Sequence, residues 1–525
     1  MSRSPGPAGN PAAAGRSNCP MRLPSTSNLV ATLAGTALTA WLLLPAPLAA
    51  QAVQDQLPDM GTAAQATLSI EDEYRIGRMV MRGLRESGRI LEDPELGEYL
   101  QSLGLRLSSL AHDGNRNFSF FLVRDPAINA FALPGGFVGI HTGLLLETRS
   151  ESELAAVLAH EVAHVTQRHI ARGLENQSRA SLVSTAATLA AILLGAVAGV
   201  PTDATMGAIS AAQNLAIQSQ ISFTRENEYE ADRIGIGLLT SAGFDPDAMA
   251  SFFETMGRRT QLGPDRVPEL LRTHPVTSSR IAEARGRAAQ EPAVVPREGL
   301  GYSLARERAR VLAAPAGTDP RSFFPEVEAN EPDATVAQVY GHALAQVLAG
   351  EAAAAIPTIV RLRDANPGIM AFHTLLGQAQ LANGQTRAAL ETLERARTLA
   401  PRNIPVTVRY AEALLQAGRP KKAHEVLLDL FNNVPPTQEQ VRLTAMAANA
   451  AGDVADAYSY MAEYHIMGGD LPLAINQLEL ALSVPGLTGQ QRAKFSARLK
   501  ELRDALPKER ARMARPAGER PAPDR

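Results

Sequence analysis

The sequence has little cysteine, few aromatic residues and no excess of charge of either sign. Its 525 residues contain one cysteine, Cys19, and only 5% are Phe, Trp or Tyr. A single cysteine cannot form an internal disulfide or a thiolate cluster, so any metal must be bound by histidine and carboxylate side chains. The formal net charge is −3, which argues against the basic surface that nucleic-acid binding requires, and we expect no nucleic-acid partner.

The N-terminal segment has the features of an export signal. Residues 29–44 are apolar, small residues follow them, and residues 50–52 offer a small-x-small cleavage site. We predict a signal peptide over residues 1–52 and therefore an exported protein. The alternative is a retained anchor helix, for which the apolar stretch is short. Because Cys19 precedes that stretch, cleavage would leave a chain without cysteine, which suits an oxidising compartment.

The rest of the chain divides into a first domain, a proline-rich segment and a repeat region. Residues 53–285 combine helical patterns with short apolar runs at residues 118–123 and 129–140, which predicts a mainly α domain with a small β-sheet. Residues 286–334 are rich in proline and mixed charge, and we predict a linker. The Arg- and Pro-rich residues 504–525 predict a disordered tail.

The C-terminal part of the sequence repeats itself every 34 residues. Small residues return at this step, as four glycines show: Gly350, Gly384, Gly418 and Gly452. A period of this length, with small residues where paired helices cross, is typical of tetratricopeptide repeats. Residues 335–503 are therefore predicted to form an α-solenoid whose concave surface binds partner proteins or substrate chains. The alternative is a purely structural cap on the first domain.

Residues 181–200 contain no charged side chain and, at ~20 residues, are long enough to span a bilayer. They lie between the two parts of the metal site described below, and a single span would place those parts on opposite sides of a membrane. We therefore expect a hairpin that is buried or makes peripheral contact with a membrane.

The sequence H-E-V-A-H at residues 160–164 is the strongest chemical signal in the chain. On a helix, His160 and His164 project from one face, so that both imidazoles can bind a divalent ion such as zinc. Glu161 is rotated by about one hundred degrees and can reach a water molecule beside the metal instead. The pattern is that of the zinc-protease helix, although five residues alone also fit a surface helix with two solvated histidines. The apolar flanks favour burial, where polar groups need partners.

A second helix supplies a candidate third ligand. Catalytic zinc takes three protein ligands and keeps one position open. Glu228 and Asp232 are four residues apart and share a face, so Glu228 can bind zinc while Asp232 accepts a hydrogen bond from a histidine ring. Spacing alone leaves Glu226 and Glu230 as rival ligands.

These motifs resemble the zinc metallopeptidase family of the HtpX heat-shock protease and the CAAX prenyl protease. Besides the H-E-V-A-H helix, the resemblance rests on Arg225-x-x-Glu228-x-x-x-Asp232, on residues 129–136 and on residues 273–275 with Arg280. It implies a gluzincin-like metallopeptidase domain with one Zn²⁺ per chain. Thr224 departs from the pattern, because relatives usually carry Ser before the arginine.

The resemblance also implies roles for individual residues. His160, His164 and Glu228 become the zinc ligands, Glu161 the catalytic base and Asp232 the orienting carboxylate. His274 and Arg280 are candidates for stabilising the oxyanion, and His274 can alternatively fill the open position of the zinc and hold the enzyme off.

Two further expectations concern the surroundings of the site. We predict that an extended substrate adds a strand along an edge formed by Gly136, Phe137, Val138 and Gly139. His169 follows His164 by five residues, points elsewhere on a continuous helix, and is interpreted as structural.

The motifs predict a zinc metalloendopeptidase, and with the export signal and the repeats the resemblance implies a periplasmic enzyme that acts in envelope protein quality control. The partners that the resemblance implies are misfolded or stalled outer-membrane proteins, which the enzyme would degrade or help to assemble, and the outer-membrane assembly machinery, which would bind the repeats. The competing hypothesis is a chaperone or binding module with a vestigial or blocked zinc site. The intact set of ligands, base and orienting carboxylate favours the peptidase.

Overall fold

The computed structural model describes residues 69–111, 117–173, 224–260, 267–296, 299–328 and 334–514. The predicted signal peptide and the apolar stretch 181–200 lie outside these ranges. Within them, no helix combines the length and the apolar character needed to cross a membrane. The described elements are mostly helices with one three-stranded sheet, which confirms the predicted mainly α fold with a small β-sheet.

Two capped helices and the sheet open the first domain. Helix α1 is Ile70–Glu86 and helix α2 is Pro94–Ser108. Their N-cap residues are Ser69 and Asp93, whose side chains accept hydrogen bonds from backbone amides of the first turn. The strands are β1 (Ser119–Val123), β2 (Ala130–Leu133) and β3 (Phe137–His141). Strand β3 lies in the middle, parallel to β1 and antiparallel to β2.

Helix α4 is the centre of this domain. The remaining helices here are α3 (Thr142–Glu147), α4 (Glu151–Thr166), α5 (His169–Gly173), α6 (Arg225–Ala242), α7 (Ala248–Thr260), α8 (Leu270–Thr273) and α9 (Ser278–Ala288). Every residue of α4 from Ser152 to Thr166 is buried, as expected for a helix that is apolar on all sides. It packs against α2, α6, α7 and strand β2, and so holds its few polar side chains inside the domain.

Residues 286–334 do not form the predicted linker. They contain helix α10 (Leu300–Leu312), a 3₁₀-helix (Pro320–Phe323) and helix α11 (Pro325–Glu328). Side chains of α10 join two cores: Tyr302 and Ala309 pack with the first domain, while Leu304 and Val311 pack with the first repeat helices. The proline content misled the prediction, because two of the prolines are the first residues of helices, where proline is favoured.

The repeat region is a series of helix pairs, as predicted. Its helices are α12 (Val336–Leu348), α13 (Ala352–Ala365), α14 (Met370–Ala382), α15 (Thr386–Leu399), α16 (Ile404–Gln416), α17 (Pro420–Phe431), α18 (Gln438–Ala451), α19 (Val454–Met467), α20 (Leu471–Ser483) and α21 (Gly489–Ala514). The four periodic glycines lie in the turns within the pairs and have φ between 69° and 92°, which only glycine adopts easily.

The predicted disordered tail begins inside a helix. Helix α21 continues to Ala514, so the prediction is wrong for residues 504–514. Phe495, Leu499 and Leu502 of this helix pack in one core with α19 and α20. The composition of the tail did not reveal this helix, because its apolar anchor lies before residue 504.

Polar contacts tie the repeats to the first domain. Arg409 of α16 binds Asp93 and Glu95 at the start of α2, at 2.9 and 2.7 Å. Arg308 of α10 binds the same two carboxylates and donates to the hydroxyl of Tyr340 in α12. These five side chains, named here the junction cluster, hold α2, α10 and two repeat helices together.

Candidate active site and metal centre

Helix α4 brings the two histidines of the H-E-V-A-H sequence together. His160 and His164 are one helical turn apart, and both rings are buried. Their Nε2 atoms are 3.0 Å apart. Two imidazole nitrogens that face each other in a buried place are suited to binding one cation.

Helix α6 places Glu228 opposite these rings. Its carboxylate oxygens lie 3.5 Å from Nε2 of His164 and 3.6 Å from Nε2 of His160. The rival ligands lie elsewhere: Glu226 is exposed, and Glu230 binds His169 and Arg172. The structure thus selects Glu228 from the three candidates that spacing left open.

His274 reaches the same point from the turn after α8. Its Nδ1 lies 2.9 Å from Glu228 Oε1 and 3.3 Å from His160 Nε2. One ligand atom from each of His160, His164, Glu228 and His274 lies within 4.8 Å of the others. His274 therefore occupies the position of a fourth ligand, as the second of its two predicted roles requires.

The residues present fit a divalent metal. Three imidazoles and one carboxylate form a set of nitrogen and oxygen donors of the kind that zinc binds tetrahedrally. All four side chains are buried, and their lone pairs converge with no apolar side chain between them. Polar groups buried in this arrangement are costly unless a cation binds them.

Asp232 and Arg280 lie behind the ligands. Asp232 Oδ1 is 3.0 Å from His160 Nδ1, so Asp232 can accept the proton of that ring and fix its orientation. Arg280 donates to both oxygens of Asp232 at 2.8 and 2.7 Å, and its Nη1 lies 2.7 Å from Glu228 Oε2. Arg280 also donates to the Pro275 carbonyl, and its oxyanion role stays a prediction.

Burial and charge set the protonation of the ligands. Burial alone would raise the pKa of Glu228, but His274, His160 and Arg280 lower it below its usual value. Burial likewise opposes ionisation of Asp232, yet hydrogen bonds from His160 and Arg280 lower its pKa. Burial lowers the pKa of His164 well below its usual value, and the nearby histidines and Arg280 act in the same direction. Ionised carboxylates and a neutral imidazole are the forms that bind metal.

Glu161 is the one acidic side chain of the site that has no firm partner. It is fully buried, and neither carboxylate oxygen makes a hydrogen bond of normal geometry within the described residues. Burial raises its pKa, against the influence of His274, His160 and the Ala132 amide. A carboxylate with a raised pKa beside a metal is suited to act as a general base.

The predicted substrate edge is wrong. Strand β3 is paired on both sides, so its main-chain groups are not available to a substrate. The four residues named for this role serve the fold: Gly136 lies in a turn with φ 87°, Phe137 stacks on Tyr74, Val138 is fully buried, and a side chain at Gly139 would clash with Phe131. The sequence shows the strands but not their order.

Strand β2 lies at one edge of the sheet, and within the described residues no further strand pairs with it. The His141 amide donates to the Asn129 carbonyl, and in an antiparallel pair such bonds recur at every second residue. The main-chain groups of Ala130 and Ala132 therefore face away from β3, and Ala132 lies next to Glu161.

An apolar pocket opens beside His160 and Glu161. Its walls come from α7 and from the segment that carries His274, and its main apolar side chains are Met249, Phe252, Phe253, Leu270 and Val276. The pocket is therefore mostly apolar and lies next to the carboxylate of Glu161.

His169 was interpreted as structural, and the structure shows a further contact. Its Nδ1 lies 2.9 Å from His164 Nδ1, and its Nε2 lies 3.2 Å from Glu230 Oε2. Helix α4 ends at Thr166, and Arg168, with φ 53°, turns the chain so that His169 points back to the metal centre. The spacing argument failed because it assumed one continuous helix. Burial lowers the pKa of His169 despite Glu230.

Comparison with known proteins identifies the family. The model of "Peptidase family M48" matches residues 94–288, which include every residue of the metal centre, and a tetratricopeptide repeat model matches residues 380–447. The beta-barrel assembly-enhancing protease of Escherichia coli strain K12 is 37% identical, over 91% of this chain and 96% of its own length. The chain belongs to peptidase family M48.

Other relatives agree with this assignment. The putative beta-barrel assembly-enhancing protease of Vibrio cholerae is 37% identical over 87% of this chain and 94% of its own. The metalloprotease LoiP of Escherichia coli is 26% identical and covers 37% of this chain and 72% of its own. The resemblance inferred from the sequence motifs is confirmed, and the M48 chain is a metallopeptidase followed by tetratricopeptide repeats.

Proposed function

We propose that this chain is a periplasmic zinc endopeptidase that degrades misfolded or stalled outer-membrane proteins and assists their assembly. The observation that carries the proposal is the meeting of His160, His164 and Glu228 at one buried point with Glu161 beside it. The names of the relatives and the export signal predicted from the sequence support the cellular role. Repeats of this type bind proteins, which supports contact with the assembly machinery.

The residues of the site have separate roles in peptide hydrolysis. Bound Zn²⁺ would supply Lewis acidity for the scissile carbonyl and for the attacking water. Glu161 takes the proton of that water and passes it to the leaving amine, for which its raised pKa suits it. Asp232 and Arg280 keep the ligands ionised and oriented.

The substrate of this proposal is an extended, unfolded segment. The outward main-chain groups of Ala130 and Ala132 can bind such a segment as an added strand. The pocket lined by Phe252 and Phe253 would take one apolar side chain beside the bond to be cut. Strands of outer-membrane barrels alternate apolar and polar residues, so an unfolded barrel protein supplies both features.

The test removes the proposed general base, Glu161, and leaves metal binding intact. Glu161→Gln should bind as much Zn²⁺ as the wild type but cleave an unfolded outer-membrane protein roughly 10²–10⁴ times more slowly. Zinc content is matched by metal analysis before the rates are compared.

The competing chaperone hypothesis predicts a different result. Equal cleavage by the wild type and Glu161→Gln would contradict the proposal. So would a lack of cleavage by both, provided that it persists when His274 is also replaced by Ala.

A further inference from the structure

The two histidine ligands differ in what their second ring nitrogen contacts. His160 presents Nδ1 to the carboxylate of Asp232, at 3.0 Å. At the same place on His164, Nδ1 faces the ring of His169, at 2.9 Å. A ligand histidine donates its second N–H to an acceptor that fixes its orientation, and Nδ1 of His169 lies at the distance of such an acceptor.

The positions of the hydrogens follow from the proposed zinc site. His164 presents Nε2 to Glu228 and His160, so with Zn²⁺ bound at Nε2 the hydrogen of the ring lies on Nδ1. His169 must then accept at Nδ1 and carry its own hydrogen on Nε2, because the other tautomer would set two N–H groups against each other. That Nε2 lies 3.2 Å from Glu230 Oε2, which accepts the bond.

Glu230 is itself held in place. Its Oε2 also accepts from Arg172 Nη1, at 3.0 Å, and Arg172 is on the same short helix, α5, as His169. The side chain of His169 is fully buried, whereas that of Glu230 is 27% exposed. A buried neutral ring thus stands between a metal ligand and a carboxylate at the edge of the domain.

We propose that His169 is a positioning residue for the metal ligand His164. Its Nδ1 accepts a hydrogen bond from His164 and its Nε2 donates one to Glu230, so Glu230 orients His164 through His169. The inference rests on the proposed zinc site. Glu228, Glu230 and Asp232 on one helix then have three different tasks: one binds the metal, and the other two orient the two histidines. His169 acts through His164 and does not contact the substrate.

The test measures zinc affinity in the full chain. The Zn²⁺ dissociation constant is determined by competition with a chromophoric chelator at one pH, and the visible spectrum of the Co²⁺-loaded chain reports the ligand geometry. His169→Leu removes the acceptor and should weaken Zn²⁺ binding roughly 10–100-fold. His169→Asn keeps an oxygen close to the position of Nδ1 and should bind within about threefold of the wild type.

Two further variants separate positioning from stability. Glu230→Gln, at a partly exposed position, should weaken binding to an intermediate degree. His373→Leu is the matched control, since His373 is a buried histidine in helix α14 whose ring bonds the Pro367 carbonyl far along the chain from the metal centre. It should leave the Zn²⁺ affinity and the Co²⁺ spectrum unchanged. Thermal unfolding of the metal-free chains reports folding in each case.

Several results would overturn the inference. The first is a His169→Leu variant whose Zn²⁺ affinity and Co²⁺ spectrum equal those of the wild type. The second is a His169→Asn variant that binds Zn²⁺ as weakly as His169→Leu does. If His169→Leu does not fold, Glu230→Gln decides, and an unchanged affinity counts against the relay. A wild type that binds no Zn²⁺ would instead overturn the proposed function on which the inference rests, so the two failures are distinguishable.

Discussion

His274 is buried in the same cluster as the two histidines and Glu228 of the candidate metal site. One of its ring nitrogens lies within 4.8 Å of a ligand atom from each of His160, His164 and Glu228. A catalytic zinc keeps its fourth position open for water and substrate, and His274 lies where that position would be. Burial opposes protonation of its ring, but Glu228 and Glu161 raise its pKa above the usual value. Attraction to these two carboxylates thus holds the ring at the point where a substrate carbonyl would bind.

We predict that His274→Ala increases the rate of cleavage. Because a blocked state reduces the fraction of competent enzyme, its removal should raise kcat/KM roughly tenfold or more. The measurement is initial-rate cleavage of an unfolded outer-membrane protein at equal zinc content. A decrease of about 10²–10³-fold in kcat would show instead that His274 stabilises the oxyanion.

Helix α1 connects the repeats to the end of the metal-binding helix. On one side it donates through Arg78 to the Ile466 carbonyl and through Arg82 to Asp470. On the other side its Glu73 binds Arg168, which follows α4, at 2.7 Å, and both side chains are buried. One helix therefore contacts both the repeat array and the turn that carries His169.

We predict a large loss of stability for Glu73→Gln. The substitution removes the carboxylate charge from the buried Arg168, and breaking such a pair from one side costs about 3–5 kcal/mol. The free energy of unfolding of the metal-free chain is measured in denaturant. Glu391→Gln is the control, because its pair with Arg387 is exposed on both sides and should contribute at most about 0.5 kcal/mol. Equal effects of the two substitutions would contradict this assignment.

Features that depend on neighbouring residues in the sequence could be predicted. Features that depend on contacts between distant parts of the chain could not. The spacing of His160 and His164 depends only on helix geometry, so the metal helix could be read directly. The place of β3 in the middle of the sheet depends on β1 and β2, and the sequence of one strand does not show its neighbours. His169 was missed because the turn at Arg168 is stabilised by Glu73, which is far away in the sequence.

At the scale of the whole molecule, the junction cluster joins the peptidase and the repeats. Arg308 and Arg409 enclose Asp93 and Glu95, and all four side chains are largely buried. Burial alone would raise the pKa of Asp93, but the two arginines outweigh it and lower the pKa to about 2. The charge of Asp93 is therefore part of what holds the two regions together.

We predict that this contribution disappears in acid. A carboxyl whose pKa is lower in the folded chain than in the unfolded chain stabilises the fold above the unfolded pKa of about 4, and this stabilisation is lost as the pH falls through the folded value. A shift of this size corresponds to about 2 kcal/mol. Unfolding in denaturant at pH 5 and pH 2.5 should show a smaller loss of stability in Asp93→Asn than in the wild type. An equal loss in both would contradict the prediction.

Helix α10 has a consequence for how the protein can be divided. Since Tyr302 belongs to the core of the peptidase and Leu304 to the core of the first repeats, either half needs this helix to cover its own apolar surface. A gene fusion or recombination event that exchanged the repeat array at the proline-rich segment would leave one product without it. An exchange that leaves α10 with only one of the two parts should therefore expose apolar surface on the other.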